Sequence, residues 1–180
     1  MIEAATEMGA LIKRTSPDTI RIERTLAAPV EAVWRYITEA ELRRKWFMGG
    51  TDACIGSDFE LLNDHDNLSS GDVPYPENYA QYKGTVWHEK VLRFEPPRLL
   101  ATTFQGGKNG TVTYELITQG DHTLLVLTHS GIQSGTGSQD FGSGWISHLT
   151  VLQEKLAGRT IPDFWALHAR SREAVAKVFG

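Results

Sequence analysis

Two histidines, one tyrosine and a few tryptophans are the side chains whose types and spacing could do chemistry in this sequence. His129 closes an alternating run with Leu125 and Leu127, which puts its imidazole on the inner face of a strand. His148 lies three residues after Trp145 and four before Leu152, at the border of a helical apolar stripe. Tyr114 alternates with Val112 and Leu116, so a phenol faces the same interior. Such groups in an apolar enclosure orient a bound molecule, act as general acid or base, or pair with one another as core groups. Trp46 with Phe47, and Trp145, flank helical segments, where large rings stack on a flat ligand or fill a core. Trp34 sits at a helical core position.

Other chemistries find little footing. NDHDN (63–67) lacks the Asp-x-Asp-x-Asp-Gly spacing and the distal Glu of a calcium loop, and no Cys and His pair has zinc-site spacing, so no metal is expected. The glycine-rich stretch 131–144 has no Gly-Lys-Ser/Thr ending to cradle a phosphate; it reads as a loop, either a connector or a hinge over a cavity. Gly-x-Ser-x-Gly and His-Glu-x-x-His are absent, and the single cysteine, Cys54, has no activating neighbour in sequence. No catalytic residue and no cofactor are assigned.

The elements that must position these groups follow from periodicity. Residues 1–18 show no sustained period and end in Ser16-Pro17-Asp18, so they read as a tail or short packed arm before a domain spanning 19–180. Ile20, Ile22 and Leu26 alternate with polar residues as in a half-buried strand, although Arg24 interrupts the apolar face. Pro29 opens a helix carrying Val30, Val33, Trp34 and Ile37, and Thr38 with Glu41 forms a capping-box signature for a second short helix. Strands are predicted over 59–62, 82–94, 99–104, 111–117 and 123–130, separated by Gly- or Pro-bearing turns. The polar segment 63–81 exceeds a hairpin loop and reads as a mobile surface excursion. Phe141, Trp145, Leu149, Leu152 and Leu156 mark one face of a long helix that follows the glycine-rich stretch, is opened by Trp145 and ends at Gly158, and 159–180 adds a further helical segment.

With 180 residues and a formal net charge of −4 in short mixed patches, the chain offers no basic run for nucleic acid or an anionic membrane. No stretch approaches the ~18 apolar residues of a membrane span. With one cysteine and no signal-peptide pattern at the N-terminus, a cytoplasmic location is expected.

Element order and several strings carry a resemblance. IRIERTLAAPVEAVWRYIT (20–38), LRRKWF (42–47), YKGTV (82–86), VLRFEPPRLLATTF (91–104), VTYELITQGDHTLLVLTHSGI (112–132) and GWISHLTVLQEKLAG (144–158) occur in the order of the START-like (SRPBCC, helix-grip, birch-pollen-allergen-like) superfamily. They are similar to its bacterial branch related to activators of the heat-shock-protein ATPase. The resemblance covers roughly 20–158 and implies an α+β helix-grip fold, a curved antiparallel sheet around a long C-terminal helix with two short helices after the first strand. The superfamily includes ligand carriers, cyclase relatives and co-chaperone domains, and it shares no catalytic residue that could be carried over. Residues 63–81 and those after Gly158 depart from its pattern, where they could reshape the mouth of a cavity.

Three functions are therefore expected in order. The first is binding of a hydrophobic or aromatic small molecule between sheet and long helix, in a cavity lined by Trp46, Phe104, Tyr114, Leu125, Leu127, Trp145, Leu149 and Leu152 and oriented by His129, His148 or Tyr114. The second is a cyclase, dehydratase or hydrolase using a cavity His or Tyr. The third is a co-chaperone-like interaction domain, for which Leu124 and Val126 on the opposite face suggest a surface or homodimer patch.

Overall fold

Alternation of apolar and polar residues draws out the strands, and the face each presents inward forms the core. The computed structural model describes residues 4–5, 11–133 and 137–179. Its strands are β1 (Ala4–Ala5), β2 (Leu11–Ser16), β3 (Thr19–Leu26), β4 (Asp58–Leu62), β5 (Val86–Glu95), β6 (Leu99–Thr103), β7 (Thr111–Gln119) and β8 (His122–Ser130). They form one curved antiparallel sheet in the order β1-β2-β3-β8-β7-β6-β5-β4. The β3–β8 pairing joins strands from opposite ends of the sheet's sequence, Ile20 lying opposite His129 and Leu26 opposite Thr123. Leu11–Ser16, expected in a tail or arm, is a strand of the sheet and pairs Ile12 with Ile22.

Arg24 faces inward with Ile20, Ile22 and Leu26, as alternation demands, and is almost wholly buried. Its Nη1 donates to Thr150 Oγ1 at 3.0 Å and Gln153 Oε1 at 3.2 Å, which ties β3 to the long helix, and burial pushes its pKa down to about 10. The guanidinium stays charged at neutral pH.

Helices α1 (Val30–Thr38) and α2 (Ala40–Arg43) follow β3. The capping box does not form. Thr38 Oγ1 donates instead to Trp34 O at 2.9 Å within α1, because a hydroxyl at the end of a helix finds the carbonyl one turn back. Asp52 Oδ1 accepts the Ala40 N–H at 2.7 Å in its place.

The excursion after β4, expected to be mobile, is tied down. It contains a short helix α3 (Glu77–Ala80), and the N–H groups of Ser70 and Gly71 donate to the carbonyls of Ile161 and Pro162 at 2.8 and 3.1 Å. Ser69 Oγ accepts the Phe164 N–H at 2.9 Å.

Helix α4 (Gly137–Leu156) begins well before the expected 145, and α5 (Phe164–Phe179) packs beside it and on β2. Gly142, inside the predicted loop, is helical because of packing: a Cβ there would lie 3.1 Å from Ile12 Cδ1 and 3.3 Å from Val175 Cγ1. The glycine lets α4, α5 and β2 approach, which outweighs its low helix propensity. A hinged lid over 131–144 therefore does not fit residues 137–144; 134–136, with Gly135, lie outside the described residues.

On the outer sheet face Val126 is only 2% exposed, between Glu23 and Glu115 in register, while half-buried Leu124 lies opposite the exposed Ile117. Among the described residues no helix is long and apolar enough to cross a membrane.

Candidate functional site

Nine of the ten residues predicted to face a ligand are buried in the core between sheet and α4. Leu125, Leu127, Leu149 and Leu152 are fully buried. Trp46 is too, its Nε1–H donating to Tyr36 O at 2.7 Å. Phe104 packs against Trp145 with centroids 5.6 Å apart, and Tyr114 meets the same indole edge-on at 6.1 Å. Burial moves the Tyr114 phenol well above its ordinary pKa.

His129 is a core histidine. Trp145 Nε1–H donates to its Nδ1 at 3.1 Å, so the ring proton is on Nε2, which donates to Asn109 O at 2.7 Å. Burial pushes its pKa down to about 4. Both nitrogens are occupied, and the ring links α4 to the β6–β7 turn. At that turn Gly110 has φ 75°, and a Cβ would lie 1.9 Å from Ser130 O, so only glycine fits.

The tenth residue, His148, opens onto a cleft of about 520 Å³ that lies elsewhere: between the 63–82 excursion, the first half of α4 and α5. Its walls are rings. Trp165 stacks on Tyr79 at 4.9 Å and 14°, and meets Tyr75 at 4.8 Å and His65 at 5.3 Å. Phe164 lies 5.0 Å from the His148 ring. Trp87, Phe141 and Met48 complete the apolar lining, with Asp140 and Arg172 also on the cleft.

Three histidines converge here. His148 Nδ1–H donates to Trp46 O at 2.9 Å. Ser147 Oγ–H donates to Ser143 O at 2.7 Å, so Ser147 Oγ accepts from His168 Nδ1–H at 3.1 Å, and His168 Nε2 accepts the Tyr79 hydroxyl at 3.1 Å. His65 Nδ1 and Tyr75 Oη share a bond of 2.8 Å. Burial, and for His65 also the neighbouring His168, pushes His65 down to about 4; burial and then Arg172 bring His168 to about 4. Burial, with His65 second, puts His148 well below its ordinary value. All three are neutral at pH 7, and burial pushes Tyr75 up to about 12. Among the described residues no group of three or more His, Cys, Asp or Glu is placed to hold a metal.

Gln105 also lines the cleft, with φ 53°. Its turn is held by Glu89, buried on β5, whose carboxylate accepts the Thr103 hydroxyl at 2.5 Å and the Gly106 N–H at 3.1 Å. A left-handed backbone at a non-glycine residue is strain that the surrounding bonds must hold.

Sequence reasoning missed His65, Tyr75, Tyr79, Trp165 and His168 as cleft residues. The available signal was aromatic: a polar loop holding His65, Tyr75, Tyr79 and Tyr82, and a terminal helix opening Phe164-Trp165 with His168 one turn on.

Comparison with known proteins places this geometry. The family profile described as Activator of Hsp90 ATPase homolog 1-like protein matches residues 27–157. No curated protein gives a significant match. A solution structure of a Bordetella parapertussis protein is similar over 98% of this chain and 95% of its own, at 34% identity and a TM-score of 0.76. The crystal structure of CalU16 from Micromonospora echinospora covers 94% of this chain and 97% of its own, at 25% identity and TM-score 0.66. The Aha1 dimer from Colwellia psychrerythraea, at 17% identity and TM-score 0.57 over 77% of this chain and 95% of its own, shares the fold.

Proposed function

Because the chain belongs to the Activator of Hsp90 ATPase homolog 1-like family, whose START-like domains are ligand-binding or co-chaperone-like, we propose that it binds a flat aromatic or hydrophobic small molecule. The site is the cleft between the 63–82 excursion, α4 and α5. One observation carries this reading: a cleft of about 520 Å³ walled by Trp165, Tyr79, Tyr75 and Phe164, a size within the ~300–1,000 Å³ usual for small-ligand sites. Rings already held against one another lose little freedom when a flat molecule slides beside them. The 63–82 excursion and α5 build these walls, so specificity belongs to them. The reading places the protein in the cytoplasm, where its exposed single cysteine, Cys54, stays reduced.

The test is a fluorescence titration with 2-naphthol, following tryptophan quenching. We expect saturable binding, weakened about tenfold or more by Trp165→Ala, since the substitution removes the central stacking surface. Binding that does not saturate, or an affinity unmoved by the substitution, would remove the proposal.

A protein-docking role has one observation of its own. Leu62 and Val86, opposite one another in the β4–β5 ladder at the edge of the sheet, are 36% and 43% exposed. An apolar cross-strand pair at an open edge suits a partner strand or a second copy.

A further inference from the structure

We infer that the molecule held in this cleft presents a neutral hydroxyl group, phenolic or alcoholic, to Nε2 of His148; this rests on the binding role proposed above. The argument begins with the tautomer. His148 is 5% exposed and lines the cleft, with one edge turned to Trp46 O, a carbonyl that can only accept. The proton of a neutral imidazole is therefore on Nδ1, and Nε2 carries a lone pair. Among the described residues nothing donates to it. The ring cannot turn to find another partner, because Phe47 meets it edge-on at 4.9 Å, Phe164 lies at 5.0 Å and His65 at 5.2 Å.

A second polar group in the same cleft also lacks a partner. Asn63 is 5% exposed, and its Oδ1 makes no hydrogen bond within the described structure. Its backbone is fixed on both sides, the N–H donating to Thr85 O at 2.9 Å and the carbonyl accepting from Gly84 N–H at 2.8 Å. An amide oxygen so held is a cost to the fold that a further donor can offset. A ligand hydroxyl gives its one proton to the lone pair of His148 Nε2, and its own lone pairs can accept from the Asn63 amide N–H.

Charge decides against the alternatives. A carboxylate would bring its lone pairs against that of Nε2, and could bond only after His148 took up a proton, which its buried position and its two neighbouring histidines oppose. The cleft's charged residues, Asp140 and Arg172, are of opposite sign, so they favour neither ion strongly. A neutral donor is what the buried end accepts.

The experiment compares 2-naphthol, 2-methoxynaphthalene and 2-naphthoate by the same titration, on wild type and His148→Asn. Asparagine keeps a donor near the Nδ1 position for Trp46 O but removes Nε2. We expect wild type to bind 2-naphthol about tenfold or more tighter than its methyl ether, and His148→Asn to bind the two within about twofold. In wild type labelled with 15N at histidine, the unprotonated His148 nitrogen should shift on adding 2-naphthol and stay still on adding the ether, which tests the contact even where the variant does not fold. Equal wild-type affinities for 2-naphthol and its ether, tightest binding of 2-naphthoate, or a silent His148 nitrogen would overturn the inference while leaving the binding role intact. Failure of all three compounds to saturate would instead overturn the binding role.

Discussion

Acidification from pH 7 to pH 5 is expected to remove most of the protein's folding stability. His65, His129 and His168 have pKa values pushed down to about 4 by burial, and His148 is also well below its ordinary value. Unfolded, each returns to about 6.5, so across the window between roughly 6.5 and 4 the unfolded state binds more protons than the folded one. Stability therefore falls as pH falls, by about 2 kcal/mol for each of His65, His129 and His168 on reaching pH 5, with His148 acting in the same direction, against a typical total of about 5–15 kcal/mol. Glu89, whose pKa is raised from 4.5 mainly by burial, acts in the opposite sense within the same window, one carboxyl against several histidines. Urea unfolding at pH 7, 6 and 5, followed by tryptophan fluorescence, checks the expectation. A midpoint that stays level down to pH 5 would mean that these rings are solvated or already paired as cations.

Replacement of Arg43 by Leu should cost about 3 kcal/mol or more, among the largest effects expected of any single substitution here. The side chain is buried, and its guanidinium donates to backbone carbonyls of two segments, Thr38 at the end of α1 at 3.1 Å, and in the following loop Met48 at 3.1 Å, Gly49 at 3.1 Å and Thr51 at 2.6 Å. Burial brings its pKa down to about 10, so it is a cation at neutral pH and these bonds are charge-assisted. Leucine fills part of the space and leaves those acceptors without a donor. Lysine restores the charge but, as a point donor, cannot span the same arc. The loop so fastened carries Met48 to the cleft and seats Gly50 against Glu60 O, so 2-naphthol affinity should fall along with the unfolding midpoint. A variant as stable as wild type would show that water satisfies these carbonyls.

What the sequence made legible follows the reach of its signals. Alternation in Ile20, Ile22 and Leu26, and in Val112, Tyr114 and Leu116, marked the inner face of the sheet, because a half-buried strand must alternate. The stripe from Trp145 to Leu152 marked the helix it grips. Arg24 looked like an interruption and is one, answered by Thr150 and Gln153 more than a hundred residues away.

The cleft was not legible for the same reason. Its two principal walls, the 63–82 excursion and α5, lie about eighty residues apart, and they meet through backbone bonds from Ser70 and Gly71 to Ile161 and Pro162 that no local period encodes. His148 was found because it borders a periodic stripe; His65 lies on none, and His168, on the amphipathic terminal segment with Phe164 and Leu167, carries no local signal that brings it to His148. The glycines of 137–144 were read as a loop because local propensity favours that, whereas tertiary contact at Gly142 required a residue without a side chain.

The most direct test of the binding claim is a titration of 15N-labelled protein with 2-naphthol, followed by amide and indole correlation spectra. Saturable shifts should concentrate at Asn63, Tyr79, Gly144 and Trp165, including the Trp165 indole, while Leu125, Leu127 and Leu152 stay still. Shifts concentrated at Leu125, Leu127, Trp145 and Leu152, with the cleft silent, would contradict this and place the ligand between the sheet and the long helix.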